Sequence, residues 1–245
     1  MILFDNQRNL ALKNNYSSES YLQEAVYMKI EKIDFHEFIE SITNMLEMRD
    51  FYTKGHSNRV AEYAELIAVE LGMNKEHVER VHIAGHFHDI GKIGVPDYVL
   101  KKEGKLSYEE FEIIKTHSVM GYNVLKKIDG FQIFAKIIKH HHERWDGGGY
   151  PDNLKGDLIP ISSRIIAVAD AFDAMTSNRV YRKSLTIEES VRELLKNRWK
   201  QFDGDIVDAF MRVLNKDKIR DIMFENKEYD NLFDYSFLDE MEIEN

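Results

Sequence analysis

The chain has 245 residues, of which 43% are hydrophobic and 31% charged, a balance that excludes an extended disordered or fibrous protein. It contains no cysteine, which excludes disulfides, thiolate nucleophiles and sulfur-ligated metal sites, so any metal must be bound by His, Asp or Glu. The formal net charge of −10 argues against a broad surface for DNA or RNA polymers, because such surfaces need many Lys and Arg contacts.

No apolar run approaches the length that crosses a bilayer, and the first residues lack a basic segment followed by an apolar one. We therefore expect no membrane insertion and, by default, a cytoplasmic location. Only three prolines occur in the chain, so most of it is free to be helical.

Apolar residues recur at helical spacing along most of the chain, and capping residues mark where the helices begin. The spacing predicts an all-α domain over residues 34–215, preceded by a partly helical segment, 1–33, and followed by an acidic C-terminal tail, 216–245. One predicted helix covers about Thr53 to Leu71. The other predicted starts are capped by Asp34, Asn74, Ser107, Ser162 or Ser163, Thr186 and Asp203.

Several predicted helices place a histidine or an aspartate on or beside an otherwise apolar face. A single histidine in such a place is more often a hydrogen-bonded core residue than a metal ligand. Many buried polar groups on separate helices are harder to explain in this way, since each unpaired one costs about 1–3 kcal/mol. A shared metal centre would satisfy all of them, and the residues concerned are His56, His88, Asp89, His117, His141, His142 and Asp170.

The chemistry of this donor set favours particular ions. Imidazoles and carboxylates without sulfur suit iron or manganese, and zinc less distinctively. The set offers more ligands than one ion in an open catalytic site would use, so we expect two divalent ions. A two-metal site can hold an anionic phosphorus between the ions and stabilise both the attacking and the leaving oxygen. The predicted reaction is therefore phosphoester hydrolysis.

Five blocks of sequence carry a resemblance to a known family over about Arg49 to Phe210. The chain resembles the HD-GYP family, a branch of the HD phosphohydrolase superfamily, whose members fold as an all-α HD-domain helical bundle with extra C-terminal helices. The blocks are GHSNRV (55–60), HDIGKIG (88–94), KTHS (115–118), HHERWDGGGYP (141–151) and IAVADAFDAMTSNRVYR (166–182).

The resemblance implies roles for individual residues. The seven His and Asp residues above correspond to metal ligands, and Asp89 is expected to bridge two ions. Asp89 and Lys92 are the expected catalytic residues, with Lys92 contacting the scissile phosphate. Arg179 and Arg182 resemble basic residues that hold the substrate phosphates, and the expected dinucleotide site also includes Gly149, Tyr150 and Pro151.

By the same resemblance, the expected activity is that of a cyclic dinucleotide phosphodiesterase in bacterial second-messenger signalling. A metal-bridging hydroxide would open cyclic di-GMP to linear pGpG, with GMP as a second product where hydrolysis continues. Two alternatives stay open: a hydrolase of another cyclic dinucleotide, such as mixed cyclic GMP–AMP, and a catalytically silent receptor for cyclic di-GMP. A homodimer through the N-terminal helix, or a regulatory protein partner, is a further hypothesis.

The sequence departs from the family at three positions. Tyr52 stands where some relatives have a glutamate that binds a third metal, which favours two ions. Val180 replaces a usual proline and Gly148 a common serine, which bears on substrate specificity. Other polar residues receive structural roles: we expect Glu143, Asp146 and Asp173 to fix the backbone rather than bind metal, and His140 to be a candidate outer-shell residue. Packing or surface positions are expected for His36, His77, His82 and His86.

Overall fold

A computed structural model describes residues 35–49, 55–177 and 184–214 of the chain. These residues form nine α-helices and two short 3₁₀ helices, and no β-strand. The predicted all-α fold class is therefore confirmed. The helices are α1 (Phe35–Glu47), α2 (His56–Glu70), α3 (Lys75–Phe87), α4 (Asp97–Leu100), α5 (Tyr108–Leu125), α6 (Gln132–Lys139), α7 (Ile161–Thr176), α8 (Ile187–Lys196) and α9 (Gly204–Leu214), and the 3₁₀ helices cover Ile90–Gly94 and Gly156–Leu158.

The chain divides into two compact units, residues 1–38 and 39–245. Only Phe35–Phe38 of the first unit belongs to the described residues. The predicted segment 1–33 and all of the predicted tail 216–245 lie outside them. The domain boundaries therefore stay predictions.

Capping residues set most helix starts where the sequence predicts them. Asn74 accepts a hydrogen bond from the backbone of His77 at the start of α3. Complete capping boxes open two more helices, Ser107 with Glu110 at α5 and Thr186 with Glu189 at α8. The Asp203 carboxylate accepts from the backbone of Asp205, 3.0 Å away, at the start of α9. These side chains satisfy backbone donors that the first helical turn leaves unpaired.

Three elements differ from the prediction. Helix α2 begins at His56 rather than near Thr53, after Gly55 in a left-handed conformation. Helix α6 ends at Lys139, so His141 and His142, expected on or beside the buried side of this helix, lie in the turn beyond it. Helix α7 begins at Ile161, which places Ser163 in the first turn. Its hydroxyl there donates to the carbonyl of Ile137, 2.7 Å away, and ties α7 to α6.

Three aromatic rings join the long helices at the centre of the core. Tyr63 of α2, Phe172 of α7 and Phe210 of α9 are fully buried, and their ring centroids lie 4.8–6.2 Å apart in edge-to-face contacts. Burying such a side chain contributes about 1.5–3 kcal/mol to folding. None of the described helices combines the length and the apolar character that a membrane-spanning segment requires.

Candidate metal centre

The seven predicted ligands come from five parts of the fold. His56 is the first residue of α2, and His88 and Asp89 follow the end of α3. His117 lies within α5, His141 and His142 follow α6, and Asp170 lies within α7. The structure brings all of them into two adjacent groups that could hold metal ions. One group is His56, His88 and Asp170, and the other is Asp89, His117, His141 and His142.

The Asp89 carboxylate lies between the two groups, with one oxygen towards each. Its Oδ2 is 3.6 Å from Nε2 of His56 and 3.3 Å from Nε2 of His88. Its Oδ1 is 3.5 Å from Nε2 of His117. Asp170 completes the first group, with Oδ1 3.5 Å from Nε2 of His56. A carboxylate in this position could bind one ion through each oxygen.

Hydrogen bonds fix the orientation of the histidine rings. Nδ1 of His88, His117 and His141 lies 2.6–2.7 Å from the backbone carbonyl three residues earlier in each case. Because a carbonyl only accepts, each Nδ1 must carry the proton, and the lone pair of the neutral ring is left on Nε2. This is the outer-shell pattern that metal-binding histidines usually show.

The Nε2 atoms face one another at distances that suit a common ion. Those of His56 and His88 are 3.2 Å apart, and those of His117 and His141 are 3.4 Å apart. Two nitrogens at 2.0–2.1 Å from one tetrahedral ion are about 3.3 Å apart. Without a cation or a proton between them, two such lone pairs would repel. The residues present therefore fit divalent metal ions.

Burial keeps the histidines of the second group ready to bind a cation. It lowers the pKa of His117, and lowers the pKa of His141 and His142 well below the ordinary value. Repulsion from a neighbouring imidazole, when that ring is protonated, lowers the pKa of His141 and His142 further. These three imidazoles are thus neutral near pH 7, the state in which imidazole binds a metal.

The first group is dominated by negative charge. Burial alone would lower the pKa of His56, but hydrogen bonds to Asp173 and Asp89, with the charge of Asp170, raise it to about 10. Burial would raise the pKa of Asp89, yet the charge of Lys92 and the hydrogen bond from His56 keep it well below its usual value. The carboxylates that hold a proton on His56 also favour a divalent cation at the same position.

Lys92 lies at the edge of the centre. It belongs to the 3₁₀ helix Ile90–Gly94, and its Nζ is 2.5 Å from Oδ2 of Asp89. This helix packs closely on α5, where a Cβ on Gly91 would lie 1.8 Å from the carbonyl oxygen of His117. A small cleft opens beside Asp89 and Lys92, bounded by Leu46, Glu47, His56, Ser57 and Leu100.

The loop predicted to form the dinucleotide site borders the second group. The ring of Tyr150 lies 4.9 Å from that of His142, and Nζ of Lys115 is 5.6 Å from the centre of the Tyr150 ring. A Cβ on Gly149 would come within 2.4–2.6 Å of backbone atoms of residues 142–144, so only glycine fits there. The peptide bond between Tyr150 and Pro151 is cis.

Polar residues fix this loop, as the sequence predicts for two of them. The Glu143 carboxylate accepts from the backbone of Asp152 and Leu154, and Asp146 accepts from the backbone of Gly148. His140 does not act as an outer-shell residue for its neighbours: its nitrogens bind the Lys136 carbonyl and the Asp152 carboxylate. The loop is therefore held by side chains on its own flanks.

Three residues support the metal centre from outside its ligand set. The sequence predicts only a backbone-fixing role for Asp173, and no role for Glu47 or Arg49. Asp173 binds Nδ1 of His56 at 2.7 Å and also pairs with Arg59. Glu47 accepts from the backbone of Gly55 and Ser57, at 2.6 and 2.7 Å, where α2 begins. The only sequence signal is the placement of Asp173 one turn after Asp170.

Arg49 is the third supporting residue. Its guanidinium donates to the carbonyl oxygens of Lys92, Ile93 and Val95 at 2.5–3.2 Å, around the end of the 3₁₀ helix. It also pairs with Asp97. The segment that carries Lys92 is therefore clamped to the residues that follow α1. Arg179, Arg182 and Tyr52 lie outside the described residues, and their expected roles stay predictions.

Comparison with known proteins assigns the family. The profile described as "HD domain" matches residues 40–206. The chain belongs to the HD-domain family. This match and the relatives below confirm the resemblance to the HD-GYP branch that the five sequence blocks indicate.

Two relatives and one solved structure illustrate what this HD-domain chain is similar to. A cyclic di-GMP phosphodiesterase of Thermotoga maritima is 42% identical over 80% of this chain and 54% of its own length. A 3′3′-cGAMP-specific phosphodiesterase 2 of Vibrio cholerae is 36% identical over 71% of this chain and 34% of its own length. This HD-domain chain thus spans about half of the first relative and a third of the second.

The solved structure shows the same fold. It is a cyclic GMP-AMP specific phosphodiesterase of V. cholerae (V-cGAP3), with a TM-score of 0.57 and 20% identity over 77% of this chain and 53% of that one. The helical HD-domain architecture expected from the sequence is thereby confirmed.

Proposed function

We propose that this HD-domain protein is a metal-dependent phosphodiesterase that hydrolyses cyclic di-GMP to linear pGpG, with GMP as a second product where hydrolysis continues. One observation carries the proposal: Asp89 presents one carboxylate oxygen to each of two adjacent ligand groups. That arrangement suits two ions, which we propose to be iron or manganese. When bound, such ions polarise phosphoryl oxygens and activate water as a nucleophile.

The chain's own residues would bind and orient the substrate. Lys92 lies beside Asp89 and would donate to a phosphoryl oxygen as negative charge develops on it. Lys115 lies over the ring of Tyr150, and its ammonium group, which also pairs with Glu112, borders the same loop. The Tyr150 ring is a flat surface against which a base could stack. Burial raises the pKa of the Tyr150 hydroxyl, so this group stays neutral.

The relatives support the choice of substrate. The Thermotoga maritima protein is named for cyclic di-GMP, and it is 42% identical to this chain. The V. cholerae relative is named for 3′3′-cGAMP, at 36% identity, and makes the mixed dinucleotide the second candidate. A silent cyclic di-GMP receptor is the third, and the complete ligand set argues against it. The cytoplasmic location, and a homodimer or regulatory protein partner, stay predictions from the sequence.

The test is anaerobic turnover by protein loaded with iron(II) or manganese(II), with products separated by chromatography and metal counted on the same sample. Linear pGpG together with about two ions per chain supports the proposal. Bound metal with surviving cyclic di-GMP, but with hydrolysis of 3′3′-cGAMP, moves the assignment to the second candidate. Tight binding of cyclic di-GMP with no turnover of either dinucleotide would favour the third candidate, a catalytically silent receptor.

A further inference from the structure

A second pair of histidines lies on α3, outside the metal centre described above. His82 and His86 are one helical turn apart, and their Nε2 atoms are 3.2 Å apart with ring centroids at 4.8 Å. His86 is buried and His82 half-buried. Neither belongs to the two ligand groups joined by Asp89. The sequence motifs give this pair no role.

A carboxylate on the neighbouring helix orients the pair. Oε2 of Glu65, on α2, lies 2.7 Å from Nδ1 of His82. A carboxylate in this position favours the proton on Nδ1 and leaves the Nε2 lone pair directed at His86. Nδ1 of His56 lies at the same 2.7 Å from Asp173, where the contact is a hydrogen bond.

The spacing of the donors matches that in the catalytic centre. The Nε2 separation of His82 and His86 equals the 3.2 Å between His56 and His88. It also agrees with the separation of about 3.3 Å for two nitrogens on one tetrahedral zinc ion. Histidines four residues apart lie on one face of a helix, so both rings can reach the same ion.

We propose that His82 and His86 form a further metal site, which takes one borderline-soft transition ion such as zinc. Imidazole donors without carboxylate in the first shell favour zinc, nickel or copper over manganese or magnesium. Glu65 is then a positioning residue that acts through His82. The proposal is independent of the phosphodiesterase activity, because none of the three residues belongs to that centre.

Equilibrium dialysis against micromolar zinc tests the proposal, with zinc counted per chain in the full-length protein and its variants. His86→Gln and His82→Gln should each bind one zinc fewer than the unchanged protein, since the catalytic ligands are retained. His77→Gln is the matched control: it is exposed on the same helix and its Nδ1 bonds to Asn74 instead. Its zinc count should equal that of the unchanged protein.

Glu65→Gln adds a graded readout. Loss of an orienting carboxylate typically weakens metal affinity about 10–100-fold, so the dissociation constant of the additional zinc should rise by that factor while its count at saturation is kept. Circular dichroism establishes that each variant is folded, and the half-buried His82 gives a second variant should the buried His86 prove essential for folding. Equal zinc counts in the unchanged protein and in both folded His→Gln variants would overturn the proposal and leave the pair sharing a proton.

Discussion

Nδ1 of His56 lies 2.7 Å from the carboxylate of Asp173, which is fully buried and also paired with Arg59. This contact joins the start of α2 to the last turns of α7 and aims Nε2 of His56 at Asp89 and Asp170. Asp173 thus supports the metal centre from outside its ligand set.

Asp173→Asn should lower metal affinity and turnover about 10–100-fold, because the amide keeps an acceptor for His56 but loses the negative charge. Metal content after dialysis and the initial rate of cyclic di-GMP hydrolysis measure the effect. Asp157→Asn, at an exposed partner of Arg164, is the control and should change neither. Full metal affinity in Asp173→Asn would contradict this supporting role and leave Asp173 only its ion pair with Arg59.

Asp89→Ala should abolish turnover and lower the content of both ions together, because one carboxylate faces both ligand groups. Metal analysis beside an activity assay provides the test. Asp129→Ala, at an exposed position, serves as the control. Full metal occupancy in Asp89→Ala would contradict the bridging role.

Lys92→Ala should keep the metal content and reduce kcat about 10²–10³-fold, because the ammonium group would stabilise charge that develops on the phosphoryl oxygens. Its contact with Asp89 raises a second reading, in which the lysine chiefly orients the carboxylate. Metal counted on the assayed sample separates the two: parallel loss of metal and activity would favour the orienting role. Lys101→Ala, in an exposed pair with Asp97, is the control.

Gly149→Ala should displace the loop before Tyr150, since the added carbon would lie 2.4–2.6 Å from backbone atoms of residues 142–144. We expect a raised KM and a loss of metal from the group that contains His142. Gly148→Ala is the matched control, because the nearest atom to its added carbon is a carboxylate oxygen of Asp146 at 3.2 Å, which can move. Equal kinetics for the two variants would show that the loop adapts.

Glu47→Ala should destabilise the protein by about 1–3 kcal/mol, because it leaves backbone N–H groups of Gly55 and Ser57 unpaired at a buried position. Glu47→Gln keeps one acceptor oxygen, so its free energy of unfolding should lie between those of Glu47→Ala and the unchanged protein. Urea unfolding gives the stability, and metal content shows whether His56, the residue between the two donors, is displaced. Glu188→Ala, in an exposed pair with Arg192, should cost little.

The sequence by itself determined the helical fold class, most capped helix starts and the candidate ligands, because these depend on local rules. Ser107 with Glu110 and Thr186 with Glu189 form capping boxes between residues three apart, which a linear pattern contains in full. The resemblance likewise rests on blocks of adjacent residues, and the family match confirms it.

Only the tertiary structure decided which oxygen of Asp89 faces which histidine, and which groups support the ligands from outside. Asp173 and His56 are separated by 117 positions, and Arg49 reaches carbonyls 43–46 positions away. A carboxylate or guanidinium carries no local mark of such a partner, since helix packing alone brings the two together. The pairing of Glu65 with His82 was hidden for the same reason: each residue has an ordinary place on its own helix, and their contact exists only because α2 and α3 pack side by side.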